Sequence, residues 1–74
     1  GQIETLQFHI KEANKMTAKP LSQLKLKKGV LIAAIIRKGK TIFPTGEDTL
    51  EVGDKLLVTT LLPNITKIYD LIAR

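Results

Sequence analysis

Cysteine is absent from these 74 residues, which excludes a disulfide framework and a thiolate metal centre. Aromatic residues are scarce: one tyrosine, two phenylalanines and no tryptophan. Proteins that grip single-stranded nucleic acid stack bases on aromatic side chains. Phe8 and Phe43 fit a core, Tyr69 falls on a helical stripe, and no stretch reads as a recognition helix, so no nucleic-acid partner is expected. Histidine occurs once, as His9, on the wet face of a strand with no nucleophile or orienting acid fixed beside it; no catalytic residues and no enzyme are expected. No run approaches the ~20 apolar residues that cross a bilayer, and no signal-peptide pattern opens the chain. The segment reads as soluble and cytoplasmic, and Gly1 in place of methionine suggests an expression scar or a domain cut from a longer protein.

Other site chemistries are missing too. Glu47, Asp48 and Glu51 lack the alternating ligands of a calcium loop, so no metal site is expected. Gly39, Gly46 and Gly53 recur seven residues apart. They belong to separate turns and form no phosphate cradle. Asp48 and Asp54 sit in turns, where aspartate bonds nearby backbone amides.

What is present is an ordinary globular composition, 43% apolar, with a net charge of +5. The length fits one domain, residues 1–74, and a chain this short buries only about 60% of its unfolded surface. Seven of the twelve cations lie between Lys19 and Lys40. Such a charge serves solubility or meets an anionic partner.

The run from Val30 to Ile36, between Gly29 and Gly39, organises the chain. It is short, rich in β-branched residues and bounded by glycine, so it reads as a strand. It does not alternate, so both faces should be covered, one by the domain's core and the other by a helix or a second copy of the domain. Strict alternation places Val30, Ile32, Ala34 and Ile36 on one face and Leu31, Ala33 and Ile35 on the other.

Upstream, Leu6, Phe8 and Ile10 alternate with Gln7, His9 and Lys11, a half-buried strand. Residues 12–19 read as a loop. Pro20 opens a short helix over Leu21–Leu24, suited to proline in its first turn, with Thr17 as a candidate cap. Downstream, Arg37 to Lys40 reads as a hairpin turn on Gly39. Thr41–Phe43 is a short return strand that Pro44 ends or confines to an edge. Gly53 and Asp54 make a structural turn, and Lys55–Leu61 is the last strand. Ile65, Ile68, Tyr69 and Ile72 fall at i, i+3, i+4 and i+7, one stripe of an amphipathic helix over about 65–74. Asn64 or Thr66 is its candidate cap, and Arg74 is a cation at its negative end. The expected fold class is α+β: a small, mostly antiparallel (mixed) four-stranded sheet in the order β-α-β-β-β-α.

This order of features resembles the C-terminal domain of RCK proteins (regulators of potassium conductance), also called the TrkA C-terminal domain. Lys19-Pro20-Leu21-Ser22-Gln23-Leu24 is similar to the family's Lys-Pro-Leu-x-x-Leu helix, with Ala18 where the family has glycine. Lys28 to Arg37 is similar to its central strand. Lys40 to Pro44 and Leu50-Glu51-Val52-Gly53-Asp54-Lys55-Leu56-Leu57-Val58 are similar to its closing segments. The likeness covers residues 6–60, the domain's core, and the tail from Ile65 resembles the end of Trk-system proteins.

The resemblance implies a regulatory domain, cytoplasmic and peripheral to the inner face of the cell membrane, attached to a potassium uptake transporter or channel. It implies a homodimer of C-domains, an N-terminal Rossmann domain in the same protein, and a membrane potassium transporter subunit as partner. Some members bind a ligand such as cyclic di-AMP between the two copies. Dinucleotide binding belongs to the Rossmann domain, whose glycine fingerprint is absent here. The candidate dimer or ligand interface is Val30, Ile32, Ala34 and Ile36, with Arg37 at its margin to meet phosphate; which face of the strand meets the partner stays open. A ligand-free dimerisation domain is the alternative, as is the same module appended to another transporter or a transcription regulator.

Overall fold

Alternation in the first strand sorts its side chains as expected: in β1 (Glu4–His9) Leu6 and Phe8 turn inward, while Gln7 and His9 stay wet. The computed structural model describes residues 2–73. Its other strands are β2 (Val30–Arg37), β3 (Lys40–Ile42) and β4 (Lys55–Thr60). They form one sheet in the order β1-β4-β2-β3, and every pairing is antiparallel. No parallel component exists among the named strands. β2 and β4 are therefore interior, which suits their apolar sequences, and β1 and β3 are edges.

The β2–β3 turn follows from its residues. Lys38 and Gly39 both take positive φ, +51° and +77°, as a two-residue turn matched to strand twist requires. Arg37 pairs with Lys40 across it. β3 stops at Ile42, before Pro44.

The helices depart from expectation. No α-helix occurs among the described residues; the segments are 3-10 turns at Lys15–Thr17, Leu21–Gln23 and Ile68–Leu71. The first lies in the stretch read as loop, and Asn14 caps it, its side chain accepting from the Met16 amide at 2.7 Å. Thr17 belongs to that turn rather than capping the next. In the tail, the inward residues are Ile65, Ile68, Leu71 and Ile72, while Tyr69 is 51% exposed. Ile65, Ile68 and Leu71 recur every third residue, the period of a 3-10 helix. Asp70 ties this turn together, accepting from the Thr66 and Lys67 amides at 3.0 Å each. Neither Asn64 nor Thr66 caps a helix, and the cation expected at its end, Arg74, lies outside the described residues.

One layer of irregular chain covers one face of the sheet. Met16, Leu50, Ile65 and Leu71 come from it and bury against Ile32, Ile35, Leu56 and Val58 of the strands. Backbone bonds pin the layer at its rim. Leu26 bridges Ile72, and the Lys27 amide donates to the Leu71 carbonyl at 2.9 Å.

Candidate functional site: the bulged strand and the bare sheet face

Strand β2 does not keep strict alternation. Ile32 pairs with Val58, but Ala34 pairs with Leu57, so one extra residue, Ala33, is accommodated in β2. This is a β-bulge. Shifting the register by one residue exchanges faces for everything beyond it. Before the bulge Val30 and Ile32 point to the core. After it Ile35 does so, opposite Leu56, and both are fully buried. Arg37, two residues on, shares Ile35's side.

The bulge therefore divides the expected interface. Val30, Ile32 and Arg37 lie on the core side, and Ala34 and Ile36 on the other. The five are not brought together on one face. The outer face instead collects Leu31 and Thr59, Ala34 and Leu57, and Ile36 with Lys55 and Thr41, by cross-strand pairing. Leu31 is 61% exposed. None of Leu31, Ala34, Ile36 or Leu57 belongs to the core cluster, although Ala34 is buried and Ile36 and Leu57 are half-buried. Polar Thr5, Gln7 and His9 of β1 line one border of this apolar strip, paired with Thr59, Leu57 and Lys55. Just past the end of β3, Phe43 is 78% exposed.

On the core side, Arg37 meets the turn that precedes β4. Its Nε and Nη2 donate to the two Asp54 carboxylate oxygens at 2.9 Å each, a two-pronged pair. Nη2 also donates to the Thr49 carbonyl at 3.0 Å, and Nη1 lies 2.9 Å from Glu51 Oε2. Asp54 is fully buried and also accepts from the Glu51 amide at 2.8 Å. Gly53, with φ of +96°, makes the preceding turn, and its amide donates to the Ile10 carbonyl at 2.7 Å. Gly53 and Asp54 thus sit where the turn ties β4 to the end of β1.

The electrostatics agree with the geometry. Hydrogen bonding to Asp54 raises the Arg37 pKa above its ordinary value. Burial pushes the Asp54 carboxyl up, but bonds from Arg37 and the Glu51 amide, with the Arg37 charge, outweigh it and hold its pKa below the ordinary value. A guanidinium so engaged has its flat fork committed within the domain.

The model of the TrkA-C domain matches residues 6–73. The chain belongs to the TrkA-C domain family. Relatives include Trk system potassium uptake protein TrkA homolog 1 of Methanosarcina mazei, 29% identical over 60 residues, which covers 81% of this chain and 13% of that protein. Homolog 2 of the same organism is 25% identical over 70 residues, 95% of this chain and 16% of that protein. Trk system potassium uptake protein TrkA of Azorhizobium caulinodans is 25% identical over 71 residues, 96% of this chain and 16% of that protein. The chain spans about an eighth to a sixth of the length of the curated relatives it matches.

Leu57, Thr49 and Glu51 are the residues that sequence reasoning missed. Leu57 was legible, since it alternates with Leu56 and Val58 in a strand of known period. Thr49 and Glu51 touch Arg37 only through the fold.

Proposed function

We propose that this TrkA-C domain is a cytoplasmic regulatory domain of a Trk-type potassium uptake system that pairs with a second copy through the outer face of its sheet. The observation that carries the pairing is an apolar strip outside the core cluster, on which Leu31 is 61% exposed and Ile36 and Leu57 are half-buried around a buried Ala34. A strand pair apolar on both faces needs a second cover, and a two-fold partner offers the same strip in return. Whole-protein association with an N-terminal Rossmann domain and a membrane transporter subunit is what the family resemblance implies; the relatives are named as Trk system potassium uptake proteins, and the chain covers 13–16% of their length. Regulation then works by bias: whatever favours one arrangement of the two domains favours one state of the attached transporter.

A small anion such as cyclic di-AMP, held between the copies, is the ligand the resemblance supplies. Arg37 is engaged by Asp54 and Glu51, which favours the ligand-free alternative at that margin. An anion at the outer face would meet Lys55, beside Ile36, instead.

Light scattering tests the pairing. The expected result is a dimer at micromolar concentration, with Leu31→Lys shifting it to monomer while circular dichroism stays unchanged. A wild-type monomer throughout that range would falsify the paired reading. Titration with cyclic di-AMP tests the ligand: saturable heat at one molecule per dimer supports it, and none from a folded dimer selects the ligand-free domain.

A further inference from the structure

On the irregular layer, away from the bare sheet face, lies a concave groove of about 930 Å³ lined by Lys15, Lys27, Lys67, Tyr69, Asp70 and Ile72. Its volume is that of a site for one small organic molecule. It is built on fixed backbone: Lys15 stands in the turn capped by Asn14, Lys27 on the segment hydrogen-bonded to Leu71, and Lys67 and Tyr69 in the turn closed by Asp70.

Among the described residues, the charge of this groove is not neutralised from within. Its one carboxylate, Asp70, accepts bonds from the Thr66 and Lys67 amides and the Thr66 hydroxyl. Among the described residues, the only ion pairs are those of Arg37. Lys15, Lys27 and Lys67 thus line one hollow with no ion-paired partner among the described residues. An adjoining hollow of about 360 Å³ shares Lys15 and Ile72 and adds Lys19 and Lys25. Like charges gathered in a concavity raise the local concentration of a polyanion. Ammonium groups bind phosphate as point charges. The half-exposed ring of Tyr69 and the Ile72 side chain supply the apolar wall that a planar group needs.

We propose that this groove is a second anion site, separate from the outer sheet face, and that it takes a nucleoside polyphosphate. The phosphates lie among Lys15, Lys27 and Lys67, and the base lies against Tyr69. The site is complete within one copy of the chain, so its occupancy does not require pairing.

Titration calorimetry of the purified protein with adenosine triphosphate and with inorganic tripolyphosphate tests this. Both bind with one site per chain, the nucleotide about five-fold or more tighter because of stacking on Tyr69. Replacing Lys15, Lys27 and Lys67 together by glutamine weakens both ligands, by about ten-fold or more per lysine. Tyr69→Ala removes only the preference for the nucleotide. Lys11→Gln with Lys28→Gln, outside the groove and exposed, leaves both affinities unchanged. Equal affinity for the two probes, or wild-type affinity in the triple variant, overturns the assignment. Among the described residues the three lysines carry no ion pair, so the triple variant keeps its fold, and a wild-type melting temperature without ligand verifies that.

Discussion

Replacing Asp54 by asparagine keeps the volume of a fully buried side chain and removes the charge that Arg37 grips at both oxygens. Breaking a buried pair costs about 3–5 kcal/mol. The lower end applies, about 3 kcal/mol, because Arg37 is 24% exposed, reaches water and keeps Glu51 at 2.9 Å. The opposite substitution, Arg37→Met, costs more. It strands a carboxylate that has no access to water and keeps one bond, from the Glu51 amide. About 4–5 kcal/mol is expected there. A domain of 74 residues has a total stability of about 4–11 kcal/mol, so either loss is a large share of it. Urea unfolding at one fixed protein concentration reads the difference. With a slope of about 1 kcal/mol per molar, the Asp54→Asn midpoint falls by about 3 M and the slope stays constant. A shift below about 0.5 kcal/mol, the size of an ordinary surface change, or an Arg37→Met cost smaller than that of Asp54→Asn, refutes the reasoning.

Acid should act through the same carboxylate. Its pKa is lower folded than unfolded, so the unfolded chain binds more protons; the stabilisation is complete above the unfolded value of about 3.9 and is lost as pH falls through the folded one. Asp54→Asn should flatten that loss in urea titrations between pH 5 and 2, taken in steps of about one unit. Deleting Ala33 removes the extra residue and leaves Ile32, Ile35 and Arg37 alternating regularly on the core side opposite the same partners; amide spectra should show a native-like sheet, and an unfolded chain would contradict the register. Gly53→Ala meets no atom within 4 Å but must hold φ near +96°, so calorimetry should show a loss of about 1–2 kcal/mol from backbone strain alone. Ile35→Ala should cost about 2–5 kcal/mol in thermal melts, whereas Leu31→Ala should leave monomer stability within about 0.5 kcal/mol and weaken pairing.

Much of the sheet was legible because period and turn chemistry agreed. The alternation of Leu6, Phe8 and Ile10 set β1, Gly39 set the hairpin, and Pro44 ended β3. The bulge was not legible. Ala33 and Ala34 are both small and apolar, so neither composition nor periodicity marks which is the extra residue. That one position exchanged the faces of Ile35 and Ile36 and broke the expected interface in two. The tail misled for another reason. Ile65, Ile68 and Ile72 satisfy a 3.6-residue period, but Ile65, Ile68 and Leu71 satisfy a three-residue one equally well, and Tyr69 alone distinguishes them by staying wet. The engagement of Arg37 needed topology, since Asp54 lies seventeen residues away. A buried turn aspartate was itself a request for a cation, and Arg37 answers it only because the bulge points it inward.

The order β1-β4-β2-β3 has a consequence for synthesis on the ribosome. β1 has one neighbour, β4, and their pairing joins Leu6 to Val58. At about 5–20 residues per second, β1 waits several seconds for the strand that completes it. During that wait Leu6, Phe8 and Ile10 have no core to enter. The hairpin of β2 and β3 can form early, but its inner edge stays open until β4 arrives between the two halves. The last strand is thus the keystone, and nascent chains stalled before Lys55 should be the form that chaperones hold.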